Sequence, residues 1–251
     1  MHTNNVIVIH DGKVSNQNLG TEFSNIVMTP VEDGLEIHVP ANTVVNTPLT
    51  FVHDDERESG FTLDIKIEAH GSLNVSQIVV GEGSLKLDCL VQLVGAGASS
   101  EVRTVAVASD KQAVEIQTKI ENFAPHTVAN IVNHGVVKDD ASLAFDGVGK
   151  IHKGMNGSDA QQETRLLNLS LTAKAIANPF LLIDEGDITA GHAASIGRID
   201  EEQIYYLMSR GMKKIEAERL IVSGFLMPFI DLIEDEEIKE TLVEKIEQKL
   251  G

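Results

Sequence analysis

Tryptophan is absent from this 251-residue chain, tyrosine occurs twice, and there is one cysteine, Cys89. A single thiol excludes a disulfide within the chain. It equally excludes an all-cysteine zinc or iron–sulfur site built from one copy, which takes about four thiolates. Basic residues are few: 20 Lys and Arg stand against 38 Asp and Glu, a formal net charge of −18. Non-specific nucleic-acid binding needs clustered cations to displace counterions, so no nucleic-acid partner is expected. Docking on anionic lipid is disfavoured for the same reason. No stretch approaches the ~20 apolar residues of a membrane span. The first apolar run, Val6 to Ile9, is short and lacks a basic flank, so it does not read as a signal peptide. The sequence therefore reads as cytoplasmic, with its negative charge serving solubility.

What is present is Gly, Ala, Val, Ile and Leu in short runs. From Ile26 to about Gly197 these look like strands, among them Leu35 to Val39, Phe61 to Ile67, Leu73 to Val80, Leu85 to Val94, Glu101 to Ala108, Val114 to Ile120, Val128 to Asn133 and Leu166 to Thr172. Many alternate apolar with polar residues, the period of a strand with one buried face. The breaks at Gly81 to Ser84, Gly95 to Ser100 and His134 to Asp140 are rich in turn residues. No amphipathic helix interrupts this stretch, which excludes a doubly wound α/β fold. Two all-β architectures remain: a sandwich or barrel with hairpin turns, or a parallel β-helix of stacked coils. Asx-Gly hairpin signals are few (Asp11-Gly12, Asp33-Gly34, Asp146-Gly147, Asn156-Gly157). The runs recur at roughly 10 to 14 residues, a spacing both architectures share.

At Asp200 the pattern becomes helical. Asp200 with Gln203 forms a variant capping box, Ile204, Leu207 and Met208 share one face, and Gly211 is a C-cap signal. A second helix is predicted over Lys214 to Leu226, with Ala217, Leu220, Ile221 and Phe225 on one side and Pro228 ending or kinking it. A third is predicted over Glu236 to Lys249, striped by Ile238, Leu242 and Ile246. The expected organisation is an N-terminal segment (1–25), a β core (26–197) and a helical region (198–251). The apolar helix faces either dock a partner or pack back as a cap on the end of the β core.

Catalytic signatures are missing. The chain has no GxxxxGK loop, no GxGxxG between strand and helix, no GxSxG elbow and no HExxH. A carbohydrate-active β-helix enzyme would need paired acids and aromatic platforms, and aromatics make up only 4% of the residues. Cys89 reads as a small buried hydrophobe.

One long ordered set of motifs is more specific. His192-Ala-Ala-Ser is followed by Gly197-Arg-Ile-Asp, then Gln203-x-x-Tyr-Leu-x-Ser-Arg-Gly, then Ala217-x-x-Leu-Ile-x-x-Gly-Phe. Upstream stand Val31 to Pro40 (VEDGLEIHVP), Gly157 to Arg165 (GSDAQQETR) and Ala177 to Ile183 (ANPFLLI). Together these resemble the SufBD family, scaffolds of iron–sulfur cluster assembly, over essentially the whole chain but without the family's N-terminal helical region. The resemblance lies on the SufD side. The SufB-type cysteine six residues before Pro179 is replaced by Ala173, the acidic residue after the histidine by Ala193, and a cysteine found in many SufD members by Ala190.

The resemblance implies a right-handed parallel β-helix followed by helices. It implies a non-catalytic scaffold pairing with a SufB-like subunit or with its own copy, and binding a SufC-like ABC ATPase through the C-terminal helices. Candidates for that contact are Ile204, Tyr205, Leu207, Met208, Arg210, Leu220 and Phe225. His192 is the candidate for cluster assembly at the subunit interface and for iron ligation, which an imidazole can perform. No tightly bound cofactor is expected, only a transient iron–sulfur cluster at an interface with a partner. The alternative reading is a self-associating β-solenoid without a role in cluster assembly.

Overall fold

In many of the strands buried side chains alternate with half-exposed or exposed ones. The computed structural model describes residues 5–231, 233 and 236–251. The strands are β1 (Val6–His10), β2 (Lys13–Asn18), β3 (Val27–Val31), β4 (Gly34–Val39), β5 (Leu49–His53), β6 (Ser59–Ile67), β7 (Val75–Val79) and β8 (Leu85–Leu93). There follow β9 (Ser99–Ala108), β10 (Ala113–Asn122), β11 (Val128–Val137), β12 (Ser142–Ile151), β13 (Asp159–Asn168), β14 (Lys174–Ile183) and β15 (Thr189–Gly197). Three helices complete the chain: α1 (Glu201–Ser209), α2 (Lys214–Ile230) and α3 (Glu236–Leu250).

From β4 onward successive strands alternate between two sheets. Sheet A runs β15-β13-β11-β9-β7-β5-β1-β2 and sheet B runs β14-β12-β10-β8-β6-β4-β3. Within each sheet the neighbours from β4 and β5 on are parallel, so each coil contributes one strand to each sheet and stacks on the last. The architecture is a parallel β-solenoid with C-terminal helices, as the family resemblance implies, and the sandwich is ruled out. Between the sheets lies one continuous core, including Phe51, Leu63, Leu87, Val91, Ile116, Phe145 and Leu143, each at most 2% exposed. Branched aliphatic residues suit such an interior because they stack on their equivalents about 4.8 Å away in the next coil.

The coils close at corners that require unusual backbone. Asn42, His70, Gly97, His126 and Gly157 occupy one corner of successive coils, with φ of 61°, 54°, 69°, 58° and 69°. Asn and His are among the few non-glycine residues that adopt this left-handed region readily. The amide of each donates to the coil above: His70 to Ala96 (2.9 Å), His126 to Asn156 (3.0 Å) and Gly157 to Asp187 (2.7 Å). Glycine is needed at alternate coils for a second reason. A Cβ on Gly97 would stand 2.6 Å from His70 Nδ1, and one on Gly157 would stand 2.3 Å from His126 Nδ1.

The two ends differ. The N-terminal end is closed by antiparallel hairpins, β1–β2 turning at Asp11-Gly12 and β3–β4 turning before Gly34. Two of the four Asx-Gly signals therefore mark hairpins, while Asp146-Gly147 lies inside β12. Residues 6–10, in the segment before the expected β core, form β1 and pair in parallel with β5. The other end is open, its final strands being β14 and β15.

The helices do not cap that end. They lie along the outer face of sheet A, where Val222, Leu226, Phe229 and Ile230 of α2 and Leu242, Ile246 and Leu250 of α3 cover Val52, Ile78, Val105, Val107 and Val136. Helix α1 starts at the predicted place, with Asp200 Oδ1 accepting the Glu202 amide at 2.9 Å rather than forming a capping box with Gln203, and Gly211 at φ 97° follows its end. Helix α2 continues through Pro228 to Ile230, four residues beyond the predicted end. Its buried face is also rotated from the predicted stripe: Ala217 is buried but Leu220 is 52% exposed. Helix α3 matches its prediction to within one residue, with Leu242 and Ile246 buried.

Candidate functional site at the open end of the solenoid

Strands β14 and β15 each have a sheet neighbour on one side only, so ten and nine residues of backbone present free edges. Inward residues of β14 (Ala175, Ala177, Leu181, Ile183) pack on the core but remain half-buried, since no coil covers them. The outer face of β14 is also apolar: Ile176, Phe180 and Leu182 are 42%, 48% and 48% exposed. Pro179, in register with Gly147, is accommodated because β14 is an edge strand. Exposed apolar edges of this length are templates for strand pairing.

His192 lies in β15 in parallel register with Gln162 of β13. Gln162 is an inward position, 6% exposed, so His192 stands on the inner face of the last coil and is exposed only because nothing lies above it. A cleft of about 490 Å³ on the outer face of sheet A is lined by the outward residues Glu101, Asn130, Gln161 and Glu163, and β15 borders it at Gly191, His192 and Ala193. Among the described residues no group of three His, Cys, Asp or Glu is placed to hold a metal ion, at His192 or elsewhere. Cys89 cannot serve as a second ligand there. It is buried in β8, with β10 and β12 between its strand and β14, and burial pushes its thiol up to about 12.

The helix candidates form a separate region. Ile204, Tyr205 and Met208 line a cleft of about 550 Å³ with Asn168, Arg198 and Lys214, between the final coil and helices α1 and α2. Ile204 is buried, whereas Tyr205, Met208 and Leu220 are 75%, 45% and 52% exposed. Leu207 is half-buried beside Tyr206 and Ile221, and the guanidinium of exposed Arg210 lies 5.2 Å from the centre of the Tyr206 ring. Phe225 faces the solenoid, its ring stacked on His134 at 4.5 Å. The helix pair thus has two apolar faces, one spent on sheet A and one open. His192 lines neither helix cleft.

Sequence reasoning missed the strands that build this end. The run predicted over Leu166 to Thr172 overlaps only the last three residues of β13, whose body (DAQQETR) places Ala160, Gln162 and Thr164 inward and so lacks apolar alternation. Strands β12 and β14 were hidden by Gly147, Gly149 and Pro179. A signal did exist. The corner motifs at Asn42, His70, Gly97, His126 and Gly157 recur once per coil, and HAAS occupies the equivalent place after the next corner.

The comparisons agree with this architecture. Residues 25–225 match the family description "SUF system FeS cluster assembly, SufBD core domain". The chain is 40% identical over 210 residues to the iron–sulfur cluster assembly protein SufD of Bacillus subtilis strain 168, covering 82% of this chain and 48% of that protein. It is 30% identical over 181 residues to a SufBD family protein of Mycobacterium tuberculosis H37Rv (69% and 46% covered). A second protein of that strain and family is 33% identical over 138 residues (55% and 16% covered). The chain thus spans about half the length of the first two of these relatives or less.

Proposed function

Because the chain belongs to the SufBD family of iron–sulfur cluster assembly proteins, we propose that it is a non-catalytic, cytoplasmic scaffold that joins a SufB-like subunit end to end at β14 and β15. The observation that carries this reading is the asymmetry of the solenoid. One end is closed by antiparallel hairpins, with Pro30 on the edge strand β3, and the other ends in bare strands, of which β14 is apolar on both faces. Natural sheets protect edges that must stay single, so an unprotected end beside a protected one reads as a pairing surface.

In this reading His192, on the inner face of the last coil, faces the joint and offers one nitrogen to iron of the nascent cluster. The cluster is cargo, and its remaining ligands come from the partner, since this chain supplies no thiolate there. The exposed face of α1 and α2 (Tyr205, Met208, Arg210, Leu220) receives a SufC-like ATPase, while Ile204 and Phe225 hold those helices to the body.

The test is co-purification with SufB-like and SufC-like partners, followed by iron and sulfide analysis. Phe180→Asp should abolish the SufB-like contact and leave the SufC-like one. Leu220→Asp should do the reverse. His192→Ala should lower iron and sulfide loading with both contacts intact. Retention of the SufB-like partner by Phe180→Asp would overturn the end-to-end arrangement. A chain that pairs only with its own copy would favour a self-associating solenoid without cluster work.

A further inference from the structure

One buried acceptor close to His192 is unsatisfied. The inward positions of sheet A run in register through Val75, Val102, Ile131, Gln162 and His192. The column is aliphatic until Gln162, which is 6% exposed. The Gln162 side chain crosses the interior, and its Nε2 donates to the Phe180 carbonyl of β14 at 2.9 Å. Gly147 and Gly149 of β12 leave room for it: a Cβ there would stand 2.9 Å from Oε1 and 2.8 Å from Nε2. With the nitrogen tethered, Oε1 is held in place, buried and without a hydrogen-bond partner among the described residues. A buried acceptor left unpaired is costly. The next side chain up the column is the imidazole of His192, uncovered and free to turn inward.

We propose that Gln162 is a positioning residue for His192. Its Oε1 accepts the N–H of one imidazole nitrogen, fixes the tautomer, and leaves the lone pair of the other nitrogen directed at the open end. A hydrogen bond to one ring nitrogen is how proteins select which nitrogen is free to ligate. An amide does this without adding charge beside the incoming iron. The role assigned to the free nitrogen rests on the scaffold reading above; the hydrogen bond does not.

The experiment is long-range ¹H–¹⁵N spectroscopy of the full chain with ¹⁵N-labelled histidine, the His192 signals being identified by their loss in His192→Ala. Wild-type protein should show one protonated and one unprotonated nitrogen at well-separated shifts. In Gln162→Leu the two should converge toward the averaged shifts of a free imidazole, and Gln162→Glu, which keeps an acceptor oxygen, should restore the separation. Averaged shifts in the wild type would overturn the proposal even if Gln162→Leu failed to fold, and so would unchanged His192 signals in a folded Gln162→Leu. Iron and sulfide loading of His192→Ala is read separately. A locked tautomer whose loss leaves loading unchanged overturns the iron role alone.

Discussion

The His134 ring lies flat against Phe225, with ring centres 4.5 Å apart and planes 8° apart, and its Nδ1 stands 3.2 Å from the Phe225 carbonyl oxygen. Phe229 also packs on the ring, with centres 4.4 Å apart and planes tilted by 51°. This is the point at which α2 is pinned to β11. Burial holds the His134 pKa below the ordinary histidine value and Arg165 acts in the same sense, while the Phe225 carbonyl and Glu163 oppose them. The folded state therefore favours neutral imidazole. Its contribution is present above the unfolded value of about 6.5 and is lost as pH falls through the lowered folded value. Amide hydrogen exchange across residues 222–230 should accelerate between pH 7 and pH 5 relative to β11. His134→Ala should show fast exchange at both pH values. Equal protection of α2 at both pH values in the wild type would contradict this account.

His53 should govern acid stability of the solenoid itself. It is fully buried in β5, edge-on to Phe61 at 5.5 Å, and burial lowers its pKa to about 4. The unfolded chain takes up a proton below pH ~6.5 and the folded chain does not, so stability falls as pH drops from there towards 4. The total is about 3 kcal/mol at ~1.4 kcal/mol per pKa unit. Urea titrations at pH 7 and pH 4.5 cover most of that range, so the pH dependence should be smaller by about 2 kcal/mol in His53→Gln than in wild type.

The corner ladder predicts coupling between His126 and Gly157. Gly157→Ala should cost more than the ~1–2 kcal/mol of placing an L-residue in left-handed backbone, because the new Cβ meets His126 Nδ1 at 2.3 Å. His126→Gly tolerates its own φ of 58° and removes the ring. In a double-mutant cycle followed by thermal melting, Gly157→Ala should cost less in the His126→Gly background. Strict additivity would argue that the clash is absent.

Lys249 and Gln112 test how α3 is held. The buried Lys249 Nζ donates to Gln112 Oε1 at 2.6 Å, and Gln112 Nε2 donates to the carbonyls of Gly81 (2.9 Å) and Gly83 (2.8 Å). Burial, first of all, pushes the Lys249 pKa below that of an ordinary lysine. Replacing a buried charge by an apolar chain of similar shape is often neutral or stabilising, and Gln112 Oε1 keeps the Ser109 amide at 3.0 Å. Lys249→Met should therefore fall within about 1 kcal/mol of wild type or above it. Gln112→Leu strands two carbonyls, the Ser109 amide and an ammonium, and at ~1–3 kcal/mol per buried unsatisfied group it should cost several kcal/mol. Chemical denaturation separates the two outcomes.

How much was legible depended on whether the inward residues were apolar. Strands β8, β10 and β11 could be read from alternation because their inward sides carry Leu87 and Val91, Ile116 and Ile120, and Ala129 and Ile131. Strands β13 and β15 could not, because the inward side carries Gln162, Thr164 and His192, residues whose polarity belongs to the open end. His192 was legible as a motif, and Gln162 was not singled out within its own motif, because an unpaired oxygen has no sequence signature.

The sequence by itself determined that a β core precedes three helices, that no disulfide and no all-cysteine metal site can arise within one copy, and where each helix begins. Those are local matters of alternation, capping and composition. Which face of α2 turns inward was decided only by tertiary structure. Residues 220–230 are apolar nearly all round, so helical periodicity selects no side, and the choice fell to the outer face of sheet A, where Val105, Val107 and Val136 needed cover. The same holds for the open end: a strand's edge becomes free only through what is, or is not, stacked upon it.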